Sequence, residues 1–226
     1  MAGMNDSSSA TVMNLSLSRS ATETVVDLPD FDRGRLEDIG FLTAMTLTVM
    51  CNYAQTGHFG GPLAYTPYTV AAHLIGPELG GLRYDYRRPK HPFSDRFMLA
   101  GGHNAPVLYA LWMIQGEALA RKEAATGDSR YHADPNVAML PIDALGFRRG
   151  AGALSTLLRE HNLEDHVLMG QAGSRGIRAL SGHAETTDLT NDVNGGPSGI
   201  GIATMAGKAA FWDMVGAPDS LKIMAI

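Results

Sequence analysis

Three histidines of this chain each follow a glycine in a turn-like segment, and a fourth glycine-rich segment comes after them. The histidines are His58, His103 and His183, and the fourth segment covers residues 194–201 (Asn-Gly-Gly-Pro-Ser-Gly-Ile-Gly). Glycine lets the backbone pass close to a ligand and take positive φ, while imidazole donates hydrogen bonds and carries protons near neutral pH. The pattern predicts a polar cavity built from several loops, as in an enzyme that acts on a phosphorylated or polyhydroxy ligand.

The same residues are compatible with two other interpretations. The three histidines could bind zinc together, but metal-binding histidines often come in close pairs on one helix. Here only Glu185 lies near one of them in sequence. Gly196, Pro197 and Ser198 precede a predicted helix, whose first backbone N–H groups could bind an anion. Close packing of that helix start against a strand would require similar glycines, so the anion site stays one of two alternatives.

Composition excludes several classes of partner. The chain has 226 residues and a net charge of -5, so no broad basic surface for nucleic acid is expected. Its one basic run, residues 87–90 (Arg-Arg-Pro-Lys), has Asp85 and Asp95 nearby and is interpreted as a solvated loop. No apolar stretch approaches the roughly 20 residues that span a bilayer, so no membrane contact is expected.

The cysteine count and the first residues bear on location. Cys51 is the single cysteine, which fits a reducing compartment. Residues 1–29 are rich in Ser, Thr, Asn and Asp and lack the apolar region of a secretory signal. We predict a disordered segment over 1–29, a single domain over 30–226 and a cytoplasmic protein.

Apolar spacing predicts alternating helices and strands. The first helix begins after Asp30 or Asp32 and ends at Gly57, with Leu36, Ile39, Leu42, Val49 and Tyr53 at helical spacing. Further helices are predicted over 67–75, 104–114, 117–125, 152–161 and 199–215, and strands over 96–100 and 221–226. The stretches 78–94 and 126–138 are predicted to be irregular. The second histidine then lies where a strand passes into a helix, which is where ligands bind in α/β folds. The long polar stretch 170–198 is predicted to be a functional loop.

Four segments, in order, resemble the motifs of the transketolase family. Residues 56–62 (Thr-Gly-His-Phe-Gly-Gly-Pro) are similar to Ser-Gly-His-Pro-Gly-x-Pro. Residues 95–103 (Asp-Arg-Phe-Met-Leu-Ala-Gly-Gly-His), followed by Leu-Tyr-Ala at 108–110, are similar to the family's strand, Gly-His and helix. Residues 182–185 (Gly-His-Ala-Glu) and 196–201 (Gly-Pro-Ser-Gly-Ile-Gly) correspond to Gly-His-Pro-Glu and Gly-Pro-Leu-Gly-Gln-Gly. The resemblance extends over residues 33–226.

The resemblance implies an α/β fold with a central parallel sheet, helices on both faces, and thiamine diphosphate with Mg²⁺ as cofactors. It implies transfer of a two-carbon ketol unit between sugar phosphates or related ketoses. His58 and His183 would contact the substrate's hydroxyl and carbonyl oxygens, and His103 would lie beside the cofactor's diphosphate. Gly196, Pro197 and Ser198 would border the cofactor, with the Gly196 backbone and the Ser198 side chain facing its aminopyrimidine. The complete enzyme would be a homodimer.

The chain also departs from the family pattern. Phe59 and Ala184 replace prolines, Ser198 replaces an apolar residue, and about 60 residues are inserted between the second and third motifs. The Gly-Asp-Gly segment that binds the metal should begin just after residue 226, so its ligands are expected outside this chain. We therefore expect an incomplete piece of the enzyme, inactive alone, with an incomplete sheet and a need for a C-terminal portion or partner subunit.

Two other functions stay open at this point. A 2-oxo acid decarboxylase, like the first component of homodimeric pyruvate dehydrogenase, shares the shape of the second motif. A non-catalytic interaction domain that has lost its cofactor site is the alternative outside enzymes.

Overall fold

The computed structural model describes residues 32–134, 136–149, 177–193, 195–196 and 199–226. Within these ranges the helices are α1 (Arg33–Ala54), α2 (Gly60–Leu74), α3 (Ala105–Thr126) and α4 (Ile200–Met214). The strands are β1 (Arg96–Met98) and β2 (Ile223–Ala225). The predicted helix over 152–161 lies outside the described residues.

The two strands lie side by side in parallel. Phe97 of β1 is opposite Met224 of β2, and the backbone of Asn191 forms a parallel bridge to Phe97. Both strands lie where the sequence predicts them. The chain thus combines helices with a small parallel sheet, consistent with the predicted α/β class, and a larger sheet with helices on both faces stays a prediction.

Helix α3 forms the centre of the core. Its residues from Ala105 to Met113 are all buried, and it packs against α1 and α2. The sequence predicted two helices over this range, which is wrong, because Gly116 continues a single helix. A Cβ on Gly116 would lie 2.4 Å from the carbonyl oxygen of Met139. Glycine therefore allows another segment to approach the middle of the helix rather than ending it.

Helix α1 begins close to its predicted start but turns a different face inward. The side chain of Asp32 caps it by accepting a hydrogen bond from the Arg35 N–H at 2.9 Å. Its buried residues form a stripe at helical spacing that consists of Thr43, Leu47, Met50, Cys51 and Ala54. Leu42 and Val49, predicted from their helical spacing, are 48% and 63% exposed. The helix has apolar residues on two faces, and periodicity alone cannot identify the buried one.

Helix α2 begins at Gly60, well before the predicted start at residue 67. The N–H of Leu63 already donates to the carbonyl of Phe59 at 3.0 Å, so Pro67 lies inside the helix. Proline favours the first turn of a helix, which explains the late predicted start. As a consequence, His58 is separated from the helix by a single residue.

The connecting segments are mostly irregular, as predicted. Within 78–94 and 126–138 the described residues form only turns and short 3-10 helices, at Pro77–Leu79 and Ser129–Tyr131. Of the helices in the described part of the chain, none is both long and apolar enough to cross a membrane.

Candidate functional site

The three glycine-histidine turns lie on three different connections. His58 lies between α1 and α2 and is exposed, and His103 lies in the short 3-10 turn that leads from β1 into α3. His183 lies on the segment 177–193, which is without helix, and is exposed. The strand-to-helix position predicted for His103 is confirmed.

The structure brings these histidines together. The ring centroids of His58 and His103 are 5.0 Å apart, with the ring planes inclined by 53°. Partial burial lowers the pKa of His103, and positive charge on His58 and on His183 would lower it further. This shift favours the neutral imidazole, in which one ring nitrogen carries a proton that it can donate in a hydrogen bond.

A glycine crossing joins the second turn to the third and fourth segments. A Cβ on Gly102 would lie 2.1 Å from the carbonyl oxygen of Gly195, closer than any real side chain allows. The N–H of Ala184 donates to the carbonyl of Gly102 at 2.8 Å. The N–H of Gly195 donates to the carbonyl of Ala184 at 2.9 Å. Three predicted segments thus form one hydrogen-bonded unit, which places His183 next to the His103 turn.

The first two turns meet through Asn104. Its side-chain oxygen lies against the backbone of Gly61, where a Cβ would approach it to 2.1 Å. Asn104 is buried, and within the described residues its side-chain oxygen has no hydrogen-bond partner. This contact fixes the start of α2, and with it His58, against the start of α3.

Arg148 joins the first turn to the third, and sequence reasoning missed it. Its guanidinium donates to the hydroxyl of Thr56 at 3.1 Å and lies directly against Gly182. Its N–H donates to the carbonyl of Leu180 at 2.9 Å, and its φ of 55° is in the left-handed region. These partners lie tens of residues away in the chain, so no local motif could have identified Arg148.

Buried polar side chains shape the segment that carries His183. Asp188 accepts hydrogen bonds from the hydroxyl of Tyr109 at 3.0 Å and from the N–H of Glu185 at 2.8 Å. Burial raises the pKa of Asp188, against the effect of both bonds. Asn191 is buried, and its side-chain amide donates to the carbonyls of Glu185 and Val193 at 2.9 and 2.6 Å. These bonds hold the segment in one conformation without regular secondary structure.

The structure describes only part of the predicted cofactor-binding segment, residues 196–198. Gly196 has open space around it, since a Cβ there would meet nothing within 4 Å. Pro197 and Ser198 lie outside the described residues, so their predicted roles stay predictions. Gly199 has a φ of 98° and directly precedes α4, so the segment does lead into a helix, as predicted.

Three of the other histidines are described, and they differ from the site. His73 is buried, and its two ring nitrogens lie 2.8 Å from the Thr69 carbonyl oxygen and 2.9 Å from the Thr190 hydroxyl. Burial lowers the pKa of His73 to about 4. His132 is exposed beside Glu123, and His91 is half-buried. His161 and His166 lie outside the described residues.

Among residues 32–134, 136–149, 177–193, 195–196 and 199–226, no group of three His, Cys, Asp or Glu side chains is arranged to hold a metal ion.

Comparison with known proteins gives short matches to transketolases. The chain is 33% identical over 76 residues to transketolase-like protein 2 of Mus musculus and 36% identical over 76 residues to transketolase of Homo sapiens. A shorter stretch of 35 residues is 49% identical to transketolase of Pongo abelii. No protein-family model matches the chain.

The matched segment is a small part of this chain and a smaller part of each relative. The 76-residue matches cover 32% of this chain and 12% of the mouse and human relatives. They support a similarity to the transketolase family, in agreement with the resemblance of the four sequence motifs.

Proposed function

We propose that this chain forms the histidine-bearing side of a thiamine-diphosphate site in a transketolase-like transferase. The observation that carries the proposal is the convergence of His58, His103 and His183, which come from three separate turns. The transketolase resemblance assigns these positions to the site, and the matches to transketolases support the same family. The reaction is transfer of a two-carbon ketol unit between sugar phosphates or related ketoses.

The residues of the site fit the cofactor. The contact of Gly102 with Gly195 keeps this part of the backbone without side chains, and the space beside Gly196 is open. The open backbone at Gly196 can lie against a diphosphate or a planar ring. His103 is only partly exposed, and its lowered pKa keeps a neutral N–H available for a phosphate oxygen. Gly196, with Pro197 and Ser198, would border the aminopyrimidine.

The cofactor, when bound, supplies the electron sink that allows a carbon–carbon bond beside a carbonyl to break. The protein's part is to bind, orient and move protons. His58 and His183 are exposed, so each could hold a proton at a hydroxyl or carbonyl oxygen of the sugar. General acid–base groups of this type contribute about 10²–10⁴-fold in rate.

The remaining parts of the enzyme are proposed to come from elsewhere. The ligands of Mg²⁺ would lie outside this chain, in the Gly-Asp-Gly segment of the family. A second subunit would complete the site, and exposed apolar side chains on α1 and α4 support such a contact. On α1 these are Phe41, Leu42, Met45 and Val49, and on α4 they include Ile202, Phe211 and Met214.

An activity assay of the full gene product tests the proposal. With thiamine diphosphate and Mg²⁺, we expect turnover of xylulose 5-phosphate with an aldose phosphate acceptor. His58→Ala and His183→Ala should each lower kcat about 10²–10⁴-fold. His132→Ala is the matched control, because that side chain is exposed beside Glu123 and should leave the rate unchanged.

The same assay separates the competing functions. Release of CO₂ from pyruvate with an artificial electron acceptor, without ketol transfer, would replace the proposal by a 2-oxo acid decarboxylase. No turnover and no cofactor binding by the full gene product would leave the non-catalytic interaction domain.

A further inference from the structure

A second cavity, of about 430 Å³, opens at the surface of the protein and shares no lining residue with the histidine site. It is lined by residues 87–91, Asn136, Val137, Arg178, Thr187 and Leu189. The sequence interpretation treated the basic run 87–90 as a solvated loop. The structure shows that the run forms one wall of a concave site together with residues some 90 positions later in the chain.

The lining is strongly basic. Among the lining residues that the structure describes, Arg87, Arg88, Lys90 and Arg178 are basic and none is Asp or Glu. The nearest acidic partner of the arginine pair is Asp85, whose carboxylate oxygens lie 3.0 Å from Nε of Arg87 and 3.8 Å from Nε of Arg88. One carboxylate therefore faces two guanidinium groups, and the wall keeps an excess of positive charge.

Lys90 adds a further positive charge, which two nearby carboxylates offset in part. Its ammonium donates to the carbonyl oxygen of Asn191, and partial burial lowers the pKa of Lys90 below that of a solvated lysine. The carboxylates of Asp188 and Asp192 lie near enough to oppose that shift. Asp192 is shared with Lys208, with which it is paired, whereas the neutral hydroxyl of Tyr109 leaves the charge of Asp188 in place.

The lining also contains apolar side chains. Leu189 is 6% exposed, and Pro89 and Val137 line the cavity beside it. Cavities that bind organic ligands usually measure about 300–1,000 Å³, so this volume exceeds what a bare phosphate ion needs. A lining with both basic and apolar side chains is suited to a ligand with an anionic group and a carbon body.

We propose that this cavity binds an organic phosphate monoester, with the phosphate at Arg88 and Lys90 and the carbon body against Leu189. Guanidinium and ammonium groups form charge-assisted hydrogen bonds with phosphate oxygens. The Thr187 hydroxyl is placed to donate another. This site is separate from the histidine site and does not depend on the function proposed for it.

Titration calorimetry of the full chain with phenyl phosphate tests the proposal. We expect saturable binding of one ligand, weaker binding of inorganic phosphate, and none of phenol, because both kinds of side chain contribute. Arg88→Gln should weaken the binding about tenfold through loss of a charge-assisted hydrogen bond. Thr187→Glu should weaken it at least as much by placing a carboxylate in the cavity. Both side chains are exposed, so both variants should unfold at the wild-type temperature.

Two controls locate the bound ligand. Arg121→Gln removes the same charge from the exposed face of α3, where Arg121 is paired with Glu117, and should leave binding within twofold of wild type. His103→Ala should also leave it unchanged. If Arg121→Gln weakened binding as much as Arg88→Gln, the effect would come from the net charge of the protein and not from the cavity. If His103→Ala abolished binding, the ligand would be bound at the histidine site. Either result, or no saturable binding, overturns the proposal.

Discussion

Replacement of Gly102 by alanine should separate the segments that form the histidine site. The new Cβ would lie 2.1 Å from the carbonyl oxygen of Gly195, whereas ordinary contacts begin at 3.4 Å. The two backbones must therefore move apart by the difference, about 1.3 Å. Both contacting groups are backbone, so no side-chain rotation can relieve the overlap.

The expected cost follows from the contacts that this movement disturbs. Overpacking of this kind costs about 1–3 kcal/mol. The bonds from Ala184 to Gly102 and from Gly195 to Ala184, at 2.8 and 2.9 Å, must lengthen as well. Each such bond contributes about 0.5–1.5 kcal/mol, so we expect the free energy of unfolding to fall by about 2–6 kcal/mol.

Urea unfolding followed by circular dichroism measures this loss, and Gly207→Ala is the matched control. Gly207 lies inside α4, and a Cβ there would meet nothing within 4 Å. Alanine is preferred to glycine in a helix interior by about 1 kcal/mol, so this variant should be slightly more stable than wild type. If the free energy of unfolding of Gly102→Ala lies within about 0.5 kcal/mol of the wild-type value, the close contact between Gly102 and Gly195 does not exist as described.

Three further changes should have distinct effects. Asp32→Ala removes the cap of α1 and should lower the free energy of unfolding by about 1 kcal/mol in urea titrations; an unchanged midpoint would contradict the cap. Arg148→Ala should shift the imidazole NMR signals of His58 and His183, and Arg148→Lys should restore them only in part, because lysine cannot fill the planar contact; unshifted signals would show that Arg148 does not position the turns. The pKa of His73 is about 4 in the folded protein and about 6.5 when unfolded, so the unfolded state binds more protons between these values. Stability should therefore fall by about 1 kcal/mol from pH 7 to pH 5.5, and this slope should flatten in His73→Gln.

The regular elements were the most predictable part of the structure. The strand at 96–98 and the start of the helix that follows it lie where the sequence placed them. The errors came from tertiary contacts. Gly116 continues a helix because the Met139 carbonyl approaches it, and Leu42 and Val49 face outward because the other face of α1 packs on α3.

The site itself was predictable only in its histidines. Each of the three follows a glycine, which is a local signal, and the structure brings all three together. The groups that hold them in place carry no local signal. Arg148 contacts Thr56 across 92 residues, and Asn191 folds the 185–193 segment through side-chain bonds to backbone carbonyls. Such partners are set by the path of the chain, which spacing does not reveal.

Burial decides which histidine can take part in chemistry, and the preceding residue indicates the outcome. His73 follows Ala72 inside a helix, its ring nitrogens are both engaged, and its pKa of about 4 prevents proton exchange near neutral pH. His103 follows Gly102, whose contact with Gly195 uses the space that a side chain would fill. The glycine thus brings two backbones together at the edge of the core, and the next side chain extends outward to meet the other histidines. A glycine-histidine pair at a strand end therefore indicates an accessible imidazole more reliably than a histidine at helical spacing does.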